Sequence, residues 1–404
     1  MGLMRSPHAS VRPASEDDLE RLIDLHTSAF PDPRGRYARA GNFTRNALGH
    51  LSDLHVLVEG DALLAHAFLF PLQAWVGGAL VPVGGVATVG VAPEARGRGI
   101  ASVLLQHLHE LARARGDVAT LLYPFRQGFY GRIGYAPTSS YRRLRFHPAA
   151  VPWSTELPAR AASGKDRPAL VACRDAAARA RTGVLARTER AWDARLADEQ
   201  RTWLVVEGST GVEGYVAWTI EQPEAHAAAT LVVVEMAAGT AAAARSLWGL
   251  VGAQRDQVAA VFADVAADDP IDRALVDADR AHFGDAAVEH AVGELVTGPM
   301  VRVLDASRAL EARGWPVDGA LVLRVDDVTL ALTARDGRAT VVPTAPAAEP
   351  DVRMDARTLA AVALGALGPR DAARLGWLTA RDDAALARAG ALLDLPPYFS
   401  SDPF

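Results

Sequence analysis

Two stretches of this chain combine residue types and spacings that could do chemistry. Arg96-Gly97-Arg98-Gly99-Ile100-Ala101 puts two glycines and two arginines into one turn. Glycine leaves backbone N–H groups uncovered, and a helix starting there would add the positive end of its dipole, so the turn suits an anion such as a pyrophosphate. A tight turn with two solvated arginines is the plain alternative. The second stretch, Gln127-Gly128-Phe129-Tyr130-Gly131-Arg132-Ile133-Gly134-Tyr135, brings phenols together. A phenol with its ordinary pKa of about 10 is protonated at neutral pH and can donate to a leaving group. Packed on one another, the same rings would simply form an aromatic cluster.

The elements that must position these groups are legible around them. Val83 to Val91 is β-branched and Gly-interrupted, which predicts a strand with a bulge or a close backbone approach, and Pro93 stops it. Ile100, Val103, Leu104, Leu108 and Leu111 then fall on one face of a helix. Val118 to Phe125 reads as a second buried strand. A P-loop is excluded, because no Gly-Lys-Ser/Thr follows the glycines; a dinucleotide fold is excluded by their spacing and by the lack of an acidic residue ending the next strand. Neither a Gly-x-Ser-x-Gly elbow nor a His/Cys/Asp cluster with metal-ligand spacing occurs, so no metal is expected.

What remains is Arg-x-x-Gly-x-Ala, residues 96–101, with a strand before it and an amphipathic helix after it. This resembles the acetyl-CoA motif of the GNAT N-acetyltransferases. The tyrosine-centred stretch 127–135 and the terminal Phe404 narrow the resemblance to the Eis-type branch of that family. The resemblance implies two tandem GNAT-like α/β domains, the second degenerate, followed by a sterol-carrier-protein-like α+β domain. It implies acetyl-CoA as cosubstrate, held by Val89, Gly90, Val91, Gly97, Arg98, Gly99, Ile100, Ala101, Ser102, Phe125 and Arg126. Arg126 departs from the acidic residue often found there.

The resemblance also assigns the proton-donor role to Tyr130, leaving Tyr135 as a structural ring, and the general-base role to the α-carboxylate of Phe404. That carboxylate, with a reference pKa of about 3.5, needs burial or an intervening water to serve as a base. Tyr398, Phe399 and Pro403 could supply apolar packing, whereas Ser400-Ser401-Asp402 would suit a disordered tail. Asp402 could help by attracting a cationic acceptor. The implied acceptor is an amine of a small molecule, aminoglycoside- or polyamine-like first, with a protein lysine as the alternative. A non-catalytic acyl-CoA or lipid sensor is the rival from another class, and a homo-oligomer, a hexamer in this family, is the implied assembly.

Composition bounds the rest. At 404 residues the chain suggests two or three domains, and half its residues are hydrophobic, enough for packed cores. A net charge of −6 makes nucleic acid and an anionic membrane surface unexpected partners. The single cysteine, Cys173, excludes an internal disulfide and reads as a small buried side chain. No run of 18 apolar residues occurs, and acidic residues among the first thirty speak against a signal peptide, so a cytoplasmic location is expected.

Read in order, the first domain spans residues 1–150. Ser15 caps a helix from Glu16 to Phe30, Leu54–Glu59 and Ala62–Val76 form a hairpin, and Tyr141 to Phe146 closes the domain as its last strand. Residues 151–295 repeat the order of strands and helices, but the counterpart of the Gly-rich turn, Ala237 to Ala241, lacks arginines and is explained by Thr240 as an N-cap. From 296 to 404 antiparallel strands, with a hairpin at Asp336-Gly337, precede three helices whose apolar positions read as ordinary core.

Overall fold

A computed structural model describes residues 9–37, 39–138, 140–209, 211–222, 227–278, 291–345, 349–400, 402 and 404. The first part of the chain contributes β1 (Ala9–Pro13), α1 (Leu19–Ala29), α2 (Gly41–Thr44), β2 (Leu54–Glu59), β3 (Ala62–Val76) and β4 (Ala79–Val91). It continues with α3 (Ile100–Arg115), β5 (Ala119–Leu122), α4 (Gln127–Gly131), β6 (Ala136–Pro137) and β7 (Ser140–Phe146). The middle part holds β8 (Ala159–Ala161), α5 (Arg167–Arg179), α6 (Glu189–Leu196), β9 (Thr202–Gly208), β10 (Gly211–Glu221), β11 (Thr230–Ala238), α7 (Ala241–Gly252), β12 (Ala260–Ala266) and β13 (Gly293–Thr297). Then come β14 (Met300–Val303), α8 (Ala306–Ala312), β15 (Gly319–Val325), β16 (Val328–Arg335), β17 (Arg338–Pro343), β18 (Val352–Met354), α9 (Ala356–Ala363), α10 (Pro369–Arg374), β19 (Leu378–Ala380) and α11 (Asp383–Leu393).

The first sheet runs β1-β2-β3-β4-β5-β14-β6 and the second β13-β7-β12-β11-β10-β9-β8. Each is antiparallel except for one parallel pair, β4 with β5 and β11 with β12. The repeat expected from the sequence is therefore real, but the two sheets trade a strand. Tyr141–Phe146 does not close the first domain: β7 pairs with β12 and β13 in the second sheet. In exchange β14, expected among the sterol-carrier-like strands, lies between β5 and β6 in the first. The reason lies in the apolar faces. Leu144 and Phe146 fill the second core, whereas Met300 and Val301 are fully buried in the two cores flanking the first sheet. Alternation predicts a strand but carries no information about which sheet receives it.

The last sheet, β17-β16-β15-β18-β19, packs its own core against α8, α9, α10 and α11. At Asp336-Gly337 both residues have positive φ, the backbone that a two-residue hairpin requires. Helix α9 serves two cores at once. Leu359, Val362 and Ala363 face the third sheet, and Ala360 and Ala361, with Leu364 just beyond, enter the first. Arg313, 1% exposed, donates to the carbonyls of Ala363, Leu392 and Leu393 and so satisfies the ends of α9 and α11. Burial pushes its pKa down to about 9, despite Asp394 nearby. The adjacent Gly314 donates its N–H to Val76, tying this unit to the β3–β4 hairpin.

The exchange of β7 and β14 makes the sheets mutually dependent. A chain ended after residue 295 removes β14 from the interior of the first sheet, leaving β6 without its partner strand and β5 paired with β4 alone. Such a fragment is expected to lack a cooperative thermal transition by circular dichroism, whereas the full chain melts sharply.

Candidate active site

The first sheet opens where its parallel pair ends. Pairing of β4 with β5 covers only Val83–Gly85 against Ala119–Leu121, and beyond Gly85 strand β4 is paired on the β3 side alone. That leaves one edge of Val86–Val91 without a β5 partner. The β3–β4 register slips between His66/Gly90 and Phe68/Ala87, which is the bulge expected from the glycines. Thr88 sits in it with a φ of 50°, a strained backbone for a β-branched residue, and its buried Oγ1 has no hydrogen-bond partner. Nothing in the sequence flagged Thr88, because its side chain disfavours that conformation. Gly90 is required by packing: a Cβ there would lie 2.6 Å from the His66 ring.

Helix α3 begins directly after the turn. Gly97 and Gly99 both have left-handed backbones, with φ of 76° and 82°, and a Cβ at Gly97 would meet nothing within 4 Å. Ile100, Ala101 and Ser102 form the first turn of the helix, where the leading N–H groups lack intrahelical acceptors. The arginines behave differently from expectation. Arg98 pairs with Glu59 at 3.3 Å, and Arg96 donates to the carbonyls of Val91 and Ser28. Both arginine side chains are thus engaged within the protein, and the groups the turn leaves uncovered are backbone N–H. An open strand edge leading to an uncovered helix start fits an elongated molecule with a diphosphate at one end, as coenzyme A is.

Tyr130 lies on α4, just past the end of β5, and is 2% exposed. Its ring meets Phe125, Phe129 and Tyr135 at centroid distances of 5.7, 5.0 and 5.9 Å. Burial raises its pKa from 10.0 to about 12, so the phenol stays protonated across the physiological range. Tyr135 is held by His109 Nε2 at 2.9 Å and Thr120 Oγ1 at 2.8 Å, a structural position. Phe125 is exposed beside Phe129, and Arg126 is exposed at the N-cap of α4. Cys173 is half-buried with its thiol directed at the Val212 carbonyl, and burial pushes its pKa up.

The end of the chain reaches this opening. The Phe404 ring sits 5.2 Å from that of Tyr123 and against Gly85, where an added Cβ would lie 3.1 Å from it. Segment Tyr123–Phe125 thus touches the terminal residue at one end and Tyr130 at the other. The approach is built residue by residue. Tyr398 donates its N–H to Gly365 and bridges to Thr182, Phe399 donates to Thr182, and the Tyr398 ring covers Gly183, where a Cβ would be 2.5 Å away. Pro403, expected to add packing, lies outside the described residues. Asp402 corrects an expectation: it does not attract an acceptor. Its carboxylate is 4% exposed and ion-paired with Arg174, Arg187 and Arg195. Burial opposes its ionisation, but the Arg187, Arg174 and Arg195 guanidiniums prevail and hold its pKa below the usual range.

A second group escaped sequence reading. His26 on α1 and His66 on β3 are buried with ring centroids 5.4 Å apart, walled by Phe30 and Phe43, and none of their four ring nitrogens has a hydrogen-bond partner. Desolvation lowers their pKa values to about 4 and about 3. Separated by 40 positions in sequence, they showed no ligand-like spacing.

Comparison with known proteins agrees with this fold. An acetyltransferase (GNAT) domain model matches residues 10–138, a second one matches 183–303, and a sterol carrier protein domain model matches 306–400. The N-acetyltransferase Eis of Mycobacterium tuberculosis is 26% identical, over 82% of this chain and 83% of its own. A GCN5-related N-acetyltransferase from Anabaena variabilis superimposes with a TM-score of 0.85 at 22% identity, covering 98% of this chain and 100% of its own. Eis1 from Mycobacterium abscessus does so at 0.77 and 23% identity, with the same coverage. The two acetyltransferase (GNAT) domains define an acyltransferase of the GNAT class, which uses acetyl-CoA. With two such domains before a sterol carrier domain, the chain is similar to the N-acetyltransferase Eis over most of its length. Among the described residues no helix is long and apolar enough to cross a membrane, and no group of His, Cys, Asp and Glu could hold a metal.

The buried histidines make a pH prediction. Held neutral when folded, with pKa values below the ordinary 6.5, they favour the native state less as pH falls from 6.5 towards 4, because only the unfolded chain takes up protons there. His66→Phe should flatten the fall of thermal midpoint between pH 6.5 and 4; a profile as steep as that of the unaltered protein would count against it.

Proposed function

We propose that the protein transfers acetyl from acetyl-CoA directly to an amine of a small molecule, with Tyr130 as general acid and the Phe404 carboxylate as general base. The observation that supports this reading is the seat of Phe404 against Gly85 and Tyr123, at the point where β4 and β5 part and next to the segment that packs on Tyr130. Bound acetyl-CoA supplies a thioester whose carbonyl carbon an amine nitrogen can attack. Val89, Gly90 and Val91 offer backbone groups along the open edge of β4 to hold the pantetheine arm, while Gly97, Arg98, Gly99, Ile100, Ala101 and Ser102 receive the diphosphate. Phe125 and Arg126 border the arm on the opposite side.

The carboxylate accepts the proton of the acceptor ammonium, directly or through water. As the C–N bond forms and the C–S bond breaks, the Tyr130 phenol gives its proton to the sulfur. A pKa of about 12 suits this role, since the phenol still carries its proton at pH 10. The net charge of −6 supports cationic acceptors, with aminoglycoside- or polyamine-like amines as the first to screen. The homohexamer implied by resemblance belongs to the same proposal.

The test is thiol release from acetyl-CoA over an amine panel. Tyr130→Phe and removal of Phe404 should each lower kcat by about 10² or more, the usual loss of a positioned acid or base, while acetyl-CoA binding holds. The alkaline side of the kcat profile should show no break attributable to Tyr130 below about pH 11, in line with its raised pKa. Full turnover by either variant would remove that residue from the mechanism. Acetyl-CoA binding without thiol release for any amine would favour the sensor.

A further inference from the structure

The second GNAT-like domain repeats the architecture of the first, and acetyl transfer gives it no task. Its parallel pair also ends early, at Val233 against Ala263, and its register also slips, between Trp218/Val233 and Ala217/Glu235. The position that follows the slip is Gly90 in the first sheet and Glu235 in the second. Gly90 lies beside the open strand edge. Glu235 instead accepts from Arg187, Arg195 and the Tyr215 hydroxyl.

The same two arginines turn to Asp402. Arg187 reaches it at 2.7 Å and Arg195 at 2.5 Å, and Arg174 on α5 completes the group. These side chains stand on the sheet face covered by α5 and α6, which corresponds to the face covered by α1 and α2 in the first domain. Three guanidiniums meet two carboxylates, so every buried negative charge of the group is matched.

We propose that the degenerate domain is a clamp for the chain's own end: its arginines hold Asp402, and Asp402 fixes the Phe404 carboxylate at the opening of the first sheet. Two residues span at most about 7 Å, so anchoring Asp402 confines the terminal carboxylate to a small volume. Asp402 is thereby a positioning residue, acting only through Phe404. The clamp rests on the proposed role of Phe404 as base.

The test uses the full chain with Asp402→Asn, Asp402→Glu, removal of Phe404, and Asp402→Asn combined with that removal. Arg195→Gln, at the most exposed arginine of the group, repeats the test should Asp402→Asn fail to fold. Asp402→Asn should lower kcat about tenfold or more, as loss of alignment does, with the KM for acetyl-CoA little changed. Asp402→Glu should recover part of that loss, and Asp402→Asn should add nothing once Phe404 is gone. Hydrogen exchange in the 395–404 peptide should quicken in Asp402→Asn. An equal further drop in the chain lacking Phe404, or unchanged turnover with an unchanged tail, overturns the clamp. The two readings fail separately. Full turnover without Phe404 ends its role as base, and with it the catalytic purpose of the clamp, whereas unaltered exchange in Asp402→Asn overturns the clamp while leaving the base intact.

Discussion

The buried charge group of Arg174, Arg187, Arg195, Asp402 and Glu235 is the interaction on which the arrangement of this molecule turns. A carboxylate taken out of water is costly unless it is paired, and Asp402 is paired with three arginines at once. Those arginines come from the middle of the chain and the carboxylate from its end, so the group closes a loop of more than two hundred residues. Its effect is positional. It fixes the last residues over the first sheet, and the Tyr398 ring on Gly183 and the N–H of Phe399 on Thr182 set their path.

The second constraint is the early end of the β4–β5 pair. A sheet whose central parallel strands part after three paired residues leaves backbone groups in search of a partner, and the first domain directs them beside the bare N-terminus of α3. Keeping that opening in shape takes material from elsewhere in the chain: β14 supports β5 and β6, α9 fills the core below, and Phe404 occupies the space that Gly85 leaves. The strand exchange ties the first two sheets to each other.

Much of this was legible in the sequence where local chemistry decides the outcome. The Gly-rich turn, the bulged strand, the hairpin at Asp336-Gly337 and the Thr240 cap follow from backbone rules acting within a few residues, and each stands where it was read. Sheet membership did not follow, because Tyr141–Phe146 and Met300–Val303 alternate in a manner that fits either sheet. The role of Asp402 was misread for a similar reason: its arginine partners lie over two hundred positions away, and an acidic residue near a chain end looks solvated until they are seen. His26 and His66 were invisible because only the fold brings them together, and Thr88 because its conformation runs against its residue type.

The central claim, that the parted strands, the start of α3, the Tyr130 phenol and the end of the chain form one site, is tested most directly by a crystal structure of the protein with coenzyme A. The account predicts the diphosphate on the backbone of Gly97 to Ser102, the pantetheine arm along Val89 to Val91, and the sulfur within hydrogen-bonding reach of Tyr130 Oη, with the Phe404 carboxylate facing it. Coenzyme A bound elsewhere, or a chain end turned away from the sulfur, would contradict it.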